Sequence, residues 1–217
     1  MTDFAKTRQM FDIPAGMIYL NGNSLGPMPK AAPKAINSFL MDEWRTELVR
    51  GWNTKNWFIQ SNTLGDRLGR LMGAPAGSTV VGDTLSIRVF QAVAAALALA
   101  PDRRVILSDS GNFPTDLYMV EGLMGLRDVG YELRTPAPED ILDHITQEVA
   151  TVMVTEVDYR SGRKHDMQAI IKKAHSVGAT VVWDLAHSIG AIPVDVYGTD
   201  ADFAVGCTYK FLNAGPG

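Results

Sequence analysis

Residues 179–188 read ATVVWDLAHS, and this stretch decides the fold. Thr180–Trp183 is an uninterrupted strand-like run, which is typical of a parallel strand buried on both faces. The run ends on Asp184, and His187 follows three residues later. A carboxylate at the end of a buried strand is costly unless a cation or several donors satisfy it. The stretch therefore predicts either a ligand site that offers a positive group to Asp184 or a structural Asp–His pair.

The same alternation of apolar runs and helix-compatible stretches continues along the chain from Thr79. It is typical of βαβ units, and we expect a mainly parallel sheet with helices on both faces, a three-layer α/β domain. The predicted strands are Thr79–Val81, Arg104–Leu107, Tyr131–Leu133, Ala150–Val154, Ala179–Trp183 and Asp202–Val205. The predicted helices are Ile87–Leu99, Pro114–Asp128, Pro138–Ile145 and Met167–Val177.

The first ~75 residues differ from the rest. They hold three of the four tryptophans and a helix-compatible run from Lys30 to Met72. We therefore divide the chain into residues 1–75, a helical and loop segment, and residues 76–217, the sheet domain.

Composition excludes several classes of protein. The 217 residues are 46% hydrophobic and 20% charged with a net charge of −4, so neither nucleic acid nor an anionic membrane is expected as a partner. One cysteine, Cys207, excludes an internal disulfide framework, and the four histidines show no metal-ligand spacing. The longest apolar run, Ala92–Ala100, is nine residues, and residues 1–10 lack the apolar core of a signal peptide. These features favour the cytoplasm.

Ligands of such sheets bind beyond the carboxyl ends of the strands, where four segments carry suitable chemistry. Leu85 and Ser86 open an apolar helix whose N-terminal amides could hold a phosphate, although a plain helix cap explains them as well. Phe113 precedes Pro114 and could cover a flat ring or form a hydrophobic staple. Lys210 lies between apolar neighbours, and desolvation favours a neutral, nucleophilic amine.

Together with Asp184, these segments match the requirements of pyridoxal 5'-phosphate (PLP). A helix N-terminus holds the phosphate, an aromatic covers the ring, a carboxylate pairs with the ring nitrogen and a lysine binds the aldehyde. Their joint occurrence at successive strand ends is far more specific than any one of them.

Several longer motifs resemble the kynureninase family, within the class V aminotransferase-like group of fold-type I PLP enzymes. They cover the chain from end to end, and they read LNGNSLGP (20–27), NFPTD (112–116), TEVDYRSG (155–162), DLAHSIG (184–190) and CTYKFLNAGPG (207–217). The first and last of these distinguish the kynureninase family from the broader group.

The resemblance implies a role for each matching residue. Lys210 would bind the cofactor aldehyde and move the proton at the substrate α-carbon, Asp184 would keep the ring nitrogen protonated, and Tyr209 would contact the phosphate and is a candidate for activating water. Ser24 would lie on the substrate side. The remaining residues implied as cofactor contacts are Leu85, Ser86, Phe113, Pro114, Thr115, Asp116, Thr155 and His187.

The implied reaction is hydrolysis of L-kynurenine to anthranilate and L-alanine, or of 3-hydroxykynurenine to 3-hydroxyanthranilate and L-alanine. The family resemblance also implies a homodimer, with residues 1–75 packing on the partner and the active site. Family members are about twice as long, so we expect this chain to be an N-terminal fragment that lacks the small domain and is inactive alone.

Three alternatives stay open. Another class V enzyme, such as a cysteine desulfurase, an aminotransferase or an epimerase, would use the same cofactor residues, although Cys207 is badly placed for a desulfurase nucleophile. Gly22–Gly26 satisfies the G-x-S-x-G pattern of serine hydrolases, with Ser24 as nucleophile after the apolar stretch 17–20, but Pro27 and Pro29 disfavour the helix that the motif requires. The fold could also be a non-catalytic scaffold.

Overall fold

The computed structural model describes residues 3–216. Met1, Thr2 and Gly217, the last residue of the predicted glycine loop, lie outside the described residues. The chain packs as two compact units, one of residues 1–82 with 208–217 and one of residues 83–207. The division at residues 75 and 76 stays a prediction about the roles of the two parts.

The second unit is an α/β layer structure around a parallel sheet. Its helices are α6 (Leu85–Leu99), α7 (Pro114–Arg127) and α8 (Met167–Ser176), with a 3-10 turn at Pro138–Asp140. Its strands are β1 (Val105–Leu107), β2 (Glu132–Arg134), β3 (Val149–Thr155), β4 (Thr180–Asp184) and β5 (Phe203–Val205). Within residues 3–216 the sheet order is β2-β1-β3-β4-β5, and every adjacent pair is parallel.

The strand order positions the candidate site. From β1 the chain passes through α7 to β2 on one side, then returns to β3 on the other side and passes through α8 to β4. Right-handed crossovers in opposite directions place α7 and α8 on opposite faces of the sheet, as the sequence predicts. The reversal lies between β1 and β3, and ligands of such sheets bind beside that point, beyond the carboxyl ends of the strands.

The core of this unit follows from the apolar runs. Every residue of β3 is buried, as expected for a central strand. The apolar face of α6 packs with α7 and with side chains of the sheet, in a cluster that includes Val89, Val93, Leu97, Ile106, Leu123 and Val182. Pro114 opens α7 at its first position, and Asp166 caps α8 by accepting a hydrogen bond from the Ala169 N–H at 3.0 Å.

Two predicted elements are wrong. Residues 79–81 are extended but join no ladder, because the Val81 N–H donates to the Ser61 carbonyl of α5 instead of to a neighbouring strand. The predicted helix Pro138–Ile145 is a 3-10 turn followed by further turns, since Asp143, His144 and Ile145 each donate to the residue three positions earlier. Ile141 and Ile145 of this stretch are both buried.

The helix-compatible run Lys30–Met72 is a broken series of helices in the first unit. Leu48 and Asn56 adopt positive φ angles, +51° and +58°, which interrupt a right-handed helix. The α-helices of this unit are α1 (Phe4–Arg8), α2 (Ala32–Ser38), α3 (Arg45–Glu47), α4 (Gly51–Thr54) and α5 (Gln60–Gly69). A π-helix at Phe39–Trp44 and 3-10 turns at Leu48–Arg50 and Trp57–Ile59 connect them.

Among residues 3–216, no helix combines the length and the apolar character needed to cross a bilayer.

Candidate active site

The sheet brings Asp184 and Thr155 together at its carboxyl edge. The two residues are register partners at the ends of β4 and β3, and both are buried. The Asp184 carboxylate accepts a hydrogen bond from the Ala186 N–H at 2.8 Å, and the Thr155 hydroxyl lies 3.2 Å from its other oxygen. The side-chain carboxylate of Asp184 is therefore held in one orientation at the end of β4. A carboxylate that binds a ligand needs such an orientation.

Asn112 extends this arrangement to the loop after β1. Its side-chain oxygen accepts a hydrogen bond from the Thr155 hydroxyl at 2.5 Å and another from the Phe113 N–H at 2.7 Å. Its amide nitrogen donates to the Ser108 hydroxyl at 3.0 Å and to the Met153 carbonyl at 3.3 Å. The donors and acceptors of the Asn112 side-chain amide are thus nearly all satisfied, and this amide joins the loop that carries Phe113 to the end of β3. No role is predicted for Asn112 from the sequence, although this residue begins the NFPTD motif.

The predicted aromatic, Phe113, is half-buried at the N-cap of α7. Its ring meets that of Tyr159 edge-on, with centroids 5.1 Å apart. The ring of His187 stacks on the same tyrosine, with ring centroids 6.1 Å apart and an interplanar angle of 28°. Phe113, Tyr159 and His187 form the aromatic group of this edge, and the sequence had assigned no role to Tyr159.

The other predicted cofactor residues of this unit lie at helix N-termini. Leu85 and Ser86 occupy the first turn of α6, where amide N–H groups point beyond the helix. Pro114, Thr115 and Asp116 occupy the first turn of α7, and Asp116 is buried. Among residues 3–216, no cluster of histidine, cysteine and carboxylate side chains is suited to hold a metal ion.

A hairpin after β3 carries Tyr159 and is held by polar contacts that the sequence did not predict. An isolated bridge between Val157 and Lys164 closes it. Asp158 accepts hydrogen bonds from the N–H groups of Arg160 at 2.8 Å and Ser161 at 2.7 Å and from the Ser161 hydroxyl at 3.0 Å. Burial raises the pKa of the Asp158 carboxyl, but these hydrogen bonds and the nearby Arg160 outweigh it and hold the pKa below its usual value.

The first unit holds Lys210, Tyr209 and Ser24. Lys210 is buried, with its Nζ 5.8 Å from the centre of the Tyr209 ring. The Gly26 N–H donates to the Tyr209 carbonyl at 2.7 Å, so the loop 21–27 lies against the segment that carries the lysine. A Cβ on Gly26 would clash with the Lys210 carbonyl oxygen and the Asn213 side chain, which explains glycine at this position.

Ser24 does not have the geometry of a hydrolase nucleophile. The stretch 17–20 before it is not a strand, and the next helix begins only at Ala32. The Ser24 hydroxyl donates to the Asn21 side chain at 2.8 Å within a turn. The strand–turn–helix elbow that defines such a site is therefore missing here.

Comparison with known proteins defines the class first. Residues 122–217 match the sequence model of the family described as Aminotransferase class-V. The solved structure of a cysteine desulfurase from Thermococcus onnurineus NA1 superposes on this chain with a TM-score of 0.77 at 20% identity. The match covers 97% of this chain and 54% of the desulfurase chain. The structure of a C-DES variant with glycine covalently linked to its PLP cofactor has a TM-score of 0.79 at 16% identity. This match covers 96% of this chain and 57% of the C-DES chain. The chain therefore has the large-domain fold of fold-type I PLP enzymes, as predicted.

The particular relatives to which this chain is similar are kynureninases. It is 48% identical to kynureninase from Pseudomonas fluorescens and 49% identical to kynureninase from Burkholderia pseudomallei (strain 1106a). Each match covers 98% of this chain and 52% of the relative. The chain thus spans about half the length of the curated relatives it matches. The similarity to the kynureninase family that the sequence motifs predict is confirmed.

Proposed function

We propose that the protein is a PLP-dependent hydrolase that cleaves L-kynurenine, and also 3-hydroxykynurenine, into an anthranilate and L-alanine. The observation that carries this proposal is the 48% identity to a kynureninase over 98% of the chain. The buried, oriented Asp184 supports it, because that residue has the chemistry that PLP needs at its ring nitrogen.

The residues of the second unit fit the cofactor. Asp184 is 1% exposed, which is costly for a carboxylate unless it meets donors or a cation. A protonated pyridine nitrogen is such a cation. The first turn of the 15-residue helix α6 offers amide donors for a phosphate, and Phe113 offers an aromatic face for the ring.

When bound, PLP supplies an electron sink that permits cleavage of the bond between the β-carbon and the γ-carbonyl carbon of the substrate. In the proposed enzyme Asp184 would hold a proton on the ring nitrogen, while Thr155 and the Ala186 N–H hold Asp184 in place. Phe113 and His187 would border the ring, Pro114, Thr115 and Asp116 would contact the cofactor from the first turn of α7, and Leu85 and Ser86 would bind the phosphate at the N-terminus of α6.

The first unit contributes three residues to the proposal. Lys210 would bind the cofactor aldehyde and move the proton at the substrate α-carbon. Tyr209 would contact the phosphate and assist the water that attacks the γ-carbonyl. Ser24 lies on the substrate side. Their support is the CTYKFLNAGPG and LNGNSLGP motifs and, for Lys210, its burial.

We further propose that the enzyme is a cytoplasmic homodimer. Large apolar side chains are exposed throughout the first unit, including Phe4, Ile18, Leu20, Val49 and Phe58. Exposed large apolar side chains of this kind are what a protein–protein interface would cover. Sedimentation of the purified protein checks the dimer, and a concentration-independent monomer would contradict it.

The experiment that tests the function uses the purified full-length protein with added PLP. We expect a visible absorbance band from bound cofactor and formation of fluorescent anthranilate from L-kynurenine. L-cysteine serves as the competing substrate, since sulfide release without anthranilate would assign the chain to the desulfurases. Absence of the band would overturn the PLP proposal and favour a non-catalytic scaffold.

A further inference from the structure

A buried carboxylate–imidazole pair joins two loops at the carboxyl edge of the sheet. The His165 Nε2 lies 2.7 Å from the Asp109 Oδ2, and the two side chains are 4% and 3% exposed. The other oxygen of Asp109 accepts a hydrogen bond from the Gly111 N–H at 2.7 Å. Neither residue belongs to the set that the proposed reaction uses.

The two partners belong to different loops on either side of the topological reversal. Asp109 follows β1 and begins the loop that ends at Phe113. His165 closes the hairpin after β3, where its N–H donates to the Glu156 carbonyl at 2.9 Å. The Arg163 guanidinium lies against the His165 ring, 3.2 Å from its Nδ1, and 3.7 Å from Asp109. The pair therefore fixes the hairpin to the loop after β1.

Each of these loops carries one member of the aromatic group. Phe113 ends the first loop and Tyr159 lies in the hairpin, with ring centroids 5.1 Å apart. Tyr159 in turn stacks on His187, which follows β4. The Arg160 guanidinium lies 5.3 Å from the Tyr159 ring centre and reaches the Gly111 carbonyl at 3.4 Å, a second link between the same loops.

We propose that Asp109 and His165 are positioning residues for the cofactor site. By joining the two loops, they hold Tyr159 against Phe113 and His187, so that the aromatic group is ordered before PLP binds. This inference rests on the proposed PLP function. Its physical basis is preorganisation, because a side chain that is already ordered loses no further conformational freedom when the ligand binds. Tyr159 belongs to the aromatic group as a support for Phe113 and His187, the two residues that would border the cofactor ring.

The test compares His165→Gln with His175→Gln in the purified protein. His175 is the matched control, since its Nε2 lies 2.9 Å from Asp202 in the same unit, and Asp202 in turn accepts a hydrogen bond from the Val181 N–H near the amino end of β4. We expect His165→Gln to raise the Kd for PLP by about ten-fold or more and to reduce the visible circular dichroism of the bound cofactor. His175→Gln should lower the urea midpoint while leaving both cofactor readouts unchanged.

Tyr159→Leu tests the same geometry without disturbing the buried pair. It should reproduce the weaker PLP binding, and Tyr159→Phe, which keeps the ring, should restore most of the affinity. Equal Kd values and equal dichroism for His165→Gln, Tyr159→Leu and the wild type would overturn the inference. A wild-type protein that binds no PLP would instead refute the proposed function, so the two failures are distinguishable.

Discussion

Thr155 and Asp184 face each other across β3 and β4, with the Thr155 hydroxyl 3.2 Å from one oxygen of the carboxylate. The same hydroxyl lies 2.5 Å from the Asn112 side-chain oxygen. One threonine thus connects Asp184 to the loop after β1, and the ends of three strands share one hydrogen-bonded network. Such a network holds a carboxylate in a single orientation at the edge where ligands of this fold bind.

Asp184→Asn should lower the turnover of L-kynurenine by more than about 100-fold, because a neutral amide cannot hold the proton on the ring nitrogen. Loss of a major electrostatic contact of this kind costs about 3 kcal/mol in the barrier. Anthranilate fluorescence measures the effect. Asp202→Asn is the control, since Asp202 serves His175 and the Val181 N–H at the start of β4. A variant of Asp184 that kept a tenth of the activity would contradict the role.

Lys210 should be the lysine that carries the cofactor. Borohydride reduction followed by peptide mapping should place the label on the peptide that contains Lys210, because this lysine is buried whereas Lys164, for example, pairs with Glu156 on the hairpin at 3.4 Å. Lys210→Ala should abolish the label. A label on Lys164, Lys172 or Lys173 would refute the assignment.

Gly26→Ala should destabilise the protein by about 1–3 kcal/mol, the usual cost of forcing a group into a filled space. The new methyl group would meet the Lys210 carbonyl and Asn213, and it would push the loop 21–27 off the lysine segment. Gly22→Ala is the control, because its methyl group would make only an ordinary 3.9 Å contact with Phe211. Urea unfolding compares the two, and equal midpoints would show that the close approach is not maintained in solution.

Gly122→Ala should stabilise the protein by about 0.5–1 kcal/mol, because glycine in an exposed helix interior costs conformational entropy. Gly122 lies in α7, and a Cβ there meets no atom within 4 Å. Gly130→Ala should have the opposite effect, since Gly130 adopts a φ of +78°. Thermal unfolding measures both, and a lower Tm for Gly122→Ala would disprove the helix assignment there.

Asp158 should contribute stability that depends on pH. Its folded-state pKa is below its ordinary value, so the contribution is fully present above the unfolded pKa of about 3.9 and is lost as the pH falls through the folded pKa. The difference in unfolding free energy between the wild type and Asp158→Asn should therefore be constant above about pH 5 and shrink as the pH falls below about 4. A difference that grows on acidification would have the wrong sign.

The sequence by itself determined the layer architecture and most of the sheet. Continuous apolar runs such as Thr180–Trp183 are compatible with little except a doubly buried parallel strand, and the alternation with amphipathic helices leaves few topologies. Asp184 could be singled out at the end of its strand because burial of a carboxylate demands a reason. Thr155 was implied only by the resemblance to the kynureninase family.

Only the tertiary structure decided which polar residues meet. Asp109 and His165 are 56 positions apart, and no local pattern indicates that they form a buried pair. The same holds for Asn112 and Thr155, which are 43 positions apart, and for the contacts of the Tyr159 ring with Phe113 and with His187. The stretch 79–81 shows the reverse case, because a strand-like sequence becomes a strand only when a neighbour accepts its hydrogen bonds. Periodicity is a property of neighbours in sequence, whereas pairing depends on the register and order of the strands, which the packing of the whole unit sets.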